Sequence, residues 1–188
     1  MGALRELVPC PVSVSESYPY FMFSIDILPD VLEGRRALDE IHMYIGNPGS
    51  TVSSGIAYSM TEGGARLENF YFFFNAKRDM KEAMAKVQCS AHVEAGQVDV
   101  DQILWPELRD CHTICIANKQ RNDTAYFSGV NVDQLLFFLK RLAYPGEIVG
   151  YVEGNRGRLD HLLFDVGYDY VAQGDEVRVV KSGYYGYF

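Results

Sequence analysis

A helix-start signal lies directly after two β-like runs in the C-terminal half of the chain. The runs cover residues 111–118 and 124–130, and both are rich in apolar and β-branched residues. Asn131 and Gln134 then have the spacing of a capping box, and leucine and phenylalanine follow at helical spacing. The sequence therefore predicts a domain that contains both strands and helices.

The remaining C-terminal residues continue this pattern of short elements. Residues 148–152 form an apolar run that predicts a strand, and an asparagine cap predicts a helix over residues 155–166. Gly167 stands where a helix stop needs a residue that accepts a positive φ angle. Residues 168–172 and 177–181 then predict a terminal hairpin.

The N-terminal part is less regular. Residues 1–16 are rich in valine, serine and proline without a period, which predicts an extended arm ahead of a single domain over residues 17–188. The apolar and aromatic run at residues 20–28 predicts a buried strand. Helical spacing from Asp30 then predicts a helix that stops before residues 46–49.

Two further β-like runs, residues 51–60 and 67–74, flank a glycine-containing loop and predict a hairpin. The second run includes five aromatic residues at 70–74 and is expected to be buried on both faces. Asn75 is expected to cap the helix that follows. The predicted fold class is α/β in the broad sense (α+β): a single mixed, largely antiparallel sheet that is flanked by helices.

The amino-acid composition limits the kinds of partner that this chain can bind. The 188 residues carry 25 acidic and 17 basic side chains, a formal net charge of -8, which disfavours direct binding to nucleic acid or anionic lipid. No run approaches the roughly 18 apolar residues that span a bilayer. We therefore expect a cytoplasmic protein without a membrane partner, one that binds another protein or associates with itself.

The segment at residues 148–155, Ile-Val-Gly-Tyr-Val-Glu-Gly-Asn, is followed by Leu159, Leu162 and Gly167-Tyr168. This pattern resembles the closing half of the GNAT family of N-acyltransferases, and it is similar to the GNAT-like virion proteins of short-tailed phages. The resemblance implies that residues 124–130 and 148–152 form neighbouring parallel strands. It also implies an acetyl-CoA site, whose residues would be Gly129, Val130, Asn131 and Asn155.

Two departures indicate that this acyltransferase site is degenerate. Asp133 places an anion where the helix would bind a pyrophosphate, and leucines occupy the region where the family often has a tyrosine acid. The leading hypothesis is a GNAT-like, protein-binding or structural component without a cofactor, such as part of a phage virion in the host cytoplasm or particle. The alternatives are an active acetyl-CoA-dependent N-acyltransferase and an acidic decoy of a nucleic-acid-binding protein.

Other reactive residues have simpler interpretations. Cys111 and Cys115 are interpreted as buried structural thiols rather than zinc ligands or nucleophiles, because cysteine is among the most buried residue types. His42 and His161 are placed within amphipathic helices, and Asp165 with Asp169 is interpreted as a solvated pair. No metal site is predicted.

The chain ends on an aromatic tail, for which two outcomes are open. Tyr184, Tyr185, Tyr187 and Phe188 follow the last predicted strand. Such a group of rings is expected to be buried, either on the protein's own sheet or on a neighbouring chain.

Overall fold

A computed structural model gives the fold. It describes residues 21–47, 53–90, 92–93 and 96–186, so the arm predicted at residues 1–16 lies outside the described residues. The chain divides into two compact units, Met1–Phe72 and Phe73–Phe188.

The first unit is a run of antiparallel strands with one short helix. Its elements are β1 (Phe21–Ser24), α1 (Pro29–Leu32), β2 (Ile41–Asn47), β3 (Ser53–Thr61) and β4 (Gly64–Asn75), the last of which continues past the boundary of the unit. β2 pairs antiparallel with both β1 and β3. Glu62 and Gly63 alone separate β3 from β4, which confirms the predicted hairpin.

Alternation along the strands gives the first unit two different faces. Ile41 and Met43 on β2 and Met60 on β3 are buried together, with Ile45 and Tyr58 packed against them. Because successive strand residues point to opposite faces, His42 and its register partner on β3 lie on the other face.

The helix predicted from Asp30 is mostly wrong. α1 has only four residues, Gly34 follows it with a φ of +70°, and residues 41–47 form β2. The apolar residues of β2 recur at every second position, and this period of two was mistaken for the end of a helical pattern. The run at residues 20–28 is also shorter as a strand than predicted and is exposed rather than buried. Phe70 is likewise exposed, so the burial of β4 on both faces was wrong at that residue.

The second unit contains most of the helices. Its elements are α2 (Met80–Gln88), two 3-10 turns (Val100–Gln102 and Pro106–Leu108), β5 (Thr113–Asn118), β6 (Asp123–Val130), α3 (Val132–Arg141), α4 (Gly146–Gly154), α5 (Arg156–Leu159), β7 (Phe164–Gln173) and β8 (Glu176–Gly186). Successive strands from β5 to β8 pair antiparallel. The predicted α+β class with an antiparallel sheet is thus confirmed.

An aromatic group anchors the core of the second unit. The rings of Trp105 and Tyr168 are stacked with centroids 4.4 Å apart, and the Arg141 guanidinium lies 4.4 Å above the indole. Phe127 and Phe138 are fully buried. Burial of such rings stabilises a fold by about 2 kcal/mol each through the hydrophobic effect.

Local signals were read correctly where a cap or a turn fixes the backbone. Asn131 accepts hydrogen bonds from the N–H groups of Asp133 and Gln134, and the Gln134 side chain binds the Asn131 N–H, so the capping box is confirmed. Gln173 pairs with Glu176 at the end of the terminal hairpin. Asn75 accepts bonds within the turn before α2 rather than at its first residue.

The predicted strand at residues 148–152 is a helix, α4. Pro145 immediately precedes this helix, and Val152 is buried while Ile148 is half-buried. A short apolar run has no period that distinguishes a strand from a buried helix. The predicted helix at 155–166 shrinks to α5, and Gly167 lies inside β7. The parallel strand pair that the resemblance implied is therefore absent from these residues.

Candidate functional site

The backbone at Gly129 is engaged in the sheet rather than open to a cofactor. Gly129 has a φ of +78° at a bulge between β6 and β7, and its N–H donates to Asp165 Oδ1 at 3.1 Å. A Cβ atom at this position would stand 2.6 Å from the His112 ring, so glycine is required there by both conformation and space. Val130, the next predicted cofactor residue, is fully buried.

The start of α3 is neutralised by the protein's own side chains. Asn131 is occupied as the cap, and Arg156 bonds to both oxygens of Asp133 at 2.5 Å. The hydrogen bond from Arg156 lowers the pKa of Asp133, so this carboxylate stays charged at the helix end. Asn155 donates to the Tyr151 carbonyl. The side chains of Asn131 and Asn155 are thus both engaged in hydrogen bonds within the protein.

The cysteines and histidines that were considered as reactive groups also have no catalytic arrangement among the described residues. Cys111 and Cys115 are buried, and burial raises the pKa of the Cys111 thiol to about 12, which keeps it neutral and poorly nucleophilic. The helical placement of both histidines was wrong, because His42 lies on β2 and His161 in a turn after α5.

The carboxylate pair on β7 is not a solvated pair. Asp165 accepts from the Gly129 N–H, as described above. Asp169 accepts from Lys119 Nζ at 2.7 Å and from Thr124 Oγ1 at 2.6 Å. Both carboxylates therefore stabilise strand contacts.

Part of the aromatic tail belongs to β8. Tyr184 and Tyr185 pair with β7, and the Tyr184 ring contacts Tyr144 edge-on with centroids 5.7 Å apart. Tyr185 is 64% exposed. Tyr187 and Phe188 lie outside the described residues.

An exposed apolar segment is the first feature that sequence reasoning missed. We use this name for the large apolar side chains between residues 22 and 32. Val31 is half-buried, whereas the other six are exposed: Met22, Phe23, Ile25, Ile27, Leu28 and Leu32. The dense apolar run was the signal, but it was interpreted as a buried strand.

A carboxylate–histidine cluster is the second such feature. One ligand atom from each of Glu40, His42 and Glu68 lies within 4.8 Å of the others. His42 Nδ1 is 2.8 Å from Glu68 Oε2, and the Ser59 hydroxyl donates to Glu40. Residues two apart on a strand share a face, so Glu40 and His42 would have been grouped if this segment had been predicted as a strand.

Comparison of the chain with protein families, curated proteins and solved structures finds no match. Among the described residues, none of the helices has the length and hydropathy to cross a membrane. The two features on the first unit therefore have to be interpreted from their own chemistry.

Proposed function

We propose that this chain is a protein-binding component and that it docks its partner through the exposed apolar segment. The observation that carries the proposal is the concentration of exposed large apolar side chains between Met22 and Leu32. Contiguous exposed apolar surface is uncommon on soluble proteins that act alone, and it usually marks a contact site.

Strand addition is the binding mode that fits this segment. β1 stands first in the strand order, and β2 is its only hydrogen-bonded neighbour among the described strands. A strand with one open side offers N–H and C=O groups to an extended segment of another chain. The side chains of Met22 and Phe23, both nearly half exposed, would then provide apolar contacts on the two faces of the added strand.

The charges around the segment define the partner. Residues 22–40 carry five carboxylates and two arginines. Both arginines are already paired, Arg35 with Asp30 and Arg36 with Asp39. We therefore propose an extended apolar partner segment with lysine or arginine at its ends. A second copy of this chain would bring like charges together, since the net charge is -8.

The other hypotheses have less support. An acetyl-CoA-dependent N-acyltransferase would need open backbone groups near Gly129 and Asn131, and internal contacts occupy those positions. The decoy hypothesis has only the net charge in its favour. A structural role in a virion, which the family resemblance suggested, is compatible with the proposed docking.

A labelled peptide tests the proposal directly. The probe alternates valine and threonine and carries two lysines at each end, and its matched control carries glutamates instead. Fluorescence anisotropy should show binding of the lysine peptide alone. Phe23→Asp should weaken it at least tenfold, which is about 1.4 kcal/mol. Val180→Asp, at an exposed strand residue of the second unit, is the matched control and should leave binding unchanged.

Two results would overturn the proposal. One is equal binding of both peptides, and the other is binding that Phe23→Asp leaves intact. Sedimentation velocity tests whether the chain binds itself instead. A concentration-dependent dimer that Phe23→Asp abolishes would show that a second copy occupies the segment, and it would refute the basic partner.

A further inference from the structure

We infer that Glu40, His42 and Glu68 bind one divalent transition-metal ion of the Zn²⁺ type. One imidazole nitrogen and two carboxylates would coordinate the ion. This inference is independent of the docking proposal, because it concerns other side chains and a different kind of ligand.

The backbone brings the ligands together. His42 on β2 has Ser24 of β1 and Ser59 of β3 as its register partners, so the three side chains form a row on one face. Glu40 precedes β2 by one residue, and Glu68 on β4 reaches the imidazole. Two of the three ligands, His42 and Glu68, therefore lie on strands, which position ligands more firmly than a loop does.

Contacts around the cluster orient its donor atoms. Ser59 is buried and donates its hydroxyl to Glu40, which fixes one carboxylate. His42 and Glu68 are largely buried, with side chains 16% and 21% exposed. Partners of this kind commonly hold metal-binding side chains in position.

The carboxylates around His42 outnumber the cations that the described residues place beside them. Glu40 and Glu68 converge within 4.8 Å, and Asp26 Oδ2 lies 4.0 Å from His42 Nε2. Among the described residues, the cations beside these groups are His42, when protonated, and Arg66, whose nitrogen is 3.8 Å from Glu68 and whose side chain is 64% exposed. Carboxylates that converge in a partly buried place repel each other, and a divalent ion would offset this repulsion.

The donor set selects the type of metal. Imidazole nitrogen suits zinc and its neighbours, whereas magnesium and calcium prefer sites made of oxygen alone. Tetrahedral zinc with bonds of roughly 2.0–2.1 Å places its ligands about 3.3 Å apart. The 2.8 Å between His42 Nδ1 and Glu68 Oε2 would need to widen by only about half an ångström. Three protein ligands would leave one position for water or another ligand.

Zinc binding can be measured without competing thiols. The background protein carries Cys10→Ser and Cys89→Ser, because Cys89 is an exposed thiol and Cys10 lies outside the described residues. Zn²⁺ is titrated against a chromophoric chelator, and Co²⁺ serves as a spectroscopic substitute. We expect one equivalent of Zn²⁺ with a dissociation constant of about 1 µM or below, an increase in melting temperature on binding, and no effect of Mg²⁺.

Matched variants locate the site. His42→Gln and Glu68→Gln should each weaken Zn²⁺ binding at least tenfold and change the visible spectrum of bound Co²⁺. His161→Gln and Glu62→Gln replace exposed groups of the same types outside the cluster, and they should leave the affinity unchanged. Far-UV circular dichroism and the melting temperature without metal check that each variant is folded.

The inference is overturned if the background protein binds no Zn²⁺ up to millimolar concentration. It is also overturned if folded His42→Gln protein retains full affinity, or if His161→Gln reduces affinity as much as His42→Gln does. In each of these cases the cluster is an ordinary histidine–glutamate pair.

Discussion

The two units treat their polar side chains differently. In the second unit the buried carboxylate of Asp123 accepts hydrogen bonds from Ser90 and Asn118, and Asp169 accepts from Lys119 and Thr124. These groups satisfy one another, so they stabilise strand contacts. In the first unit Glu40, Glu68 and Asp26 surround His42, and the cations beside them among the described residues are Arg66 and, when protonated, His42 itself. This excess of carboxylates is the observation behind the proposed metal site.

The apolar side chains show the same contrast. The second unit buries Trp105, Phe127, Phe138 and Tyr168. The buried cluster of the first unit contains two methionines and one isoleucine, while the large apolar side chains of the exposed apolar segment remain in solvent. The second unit thus builds its core from aromatic rings, whereas the first unit leaves a run of large apolar side chains at and after β1 in solvent.

The largest expected effect tests this contrast in packing. Phe138→Ala removes a fully buried ring and should lower the free energy of unfolding by about 3–5 kcal/mol, because it leaves a cavity. Phe23→Ala truncates a ring that is half in solvent and should cost about 1 kcal/mol or less. Urea denaturation followed by circular dichroism measures both, and the single tryptophan, Trp105, reports on the second unit.

Equal costs for these two substitutions would contradict the contrast. A large cost for Phe23→Ala would mean that the exposed apolar segment is part of a core. The docking proposal would then lose its main support.

The next effect concerns two buried tyrosines on β7. The Tyr168 hydroxyl donates to the Ile103 carbonyl, whereas the buried Tyr170 hydroxyl has no hydrogen-bond partner among the described residues. Tyr168→Phe leaves that carbonyl without its bond and should cost about 1–3 kcal/mol. Tyr170→Phe removes an unsatisfied group and should be neutral or slightly stabilising. Thermal denaturation of the two variants compares them, and a larger loss in Tyr170→Phe would reveal a missing partner there.

How much the sequence predicts depends on whether a local signal fixes the backbone. Two features form through contacts between residues that are close in sequence, so both were predictable. They are the capping box of Asn131 and Gln134 and the turn before Glu176. Residues 148–152 carry only apolar side chains and a glycine, and their helical state depends on tertiary packing.

The candidate site illustrates the same limit. Glu40 and His42 are two residues apart, but Glu68 is 26 residues beyond His42 and meets it only through the folding of the sheet. The sequence placed His42 on a helix, where its strand neighbours could not be identified. The residues of the exposed apolar segment were identified, but their exposure depends on what packs against β1.

The pH dependence of the free energy of unfolding tests the burial of Cys111, with the exposed Cys89 as the comparison. Burial raises the pKa of Cys111 from 9.0 to about 12, so above pH 9 the unfolded chain loses a proton that the folded chain keeps. The stabilisation is present below pH 9 and is lost as the pH rises towards 12, by up to about 1 kcal/mol per pH unit. Urea denaturation between pH 8 and 10 should show this decline in the wild type and a smaller one in Cys111→Ala. The matched Cys89→Ala should retain the wild-type decline, and an equal slope in all three proteins would contradict the shift.

The smallest expected effect concerns the middle of α4. Gly150 lies in the middle of α4, is exposed, and has open space around the position of a Cβ atom. Alanine is the best helix former and glycine one of the poorest, so Gly150→Ala should stabilise the second unit by up to about 1 kcal/mol. Trp105 fluorescence during urea denaturation measures this change. Gly167→Ala is the opposing control, because a Cβ atom there would stand 2.2 Å from the Tyr126 ring, and it should cost about 1–3 kcal/mol. A Gly150→Ala protein without any gain in stability would contradict an exposed, unobstructed helical position at residue 150.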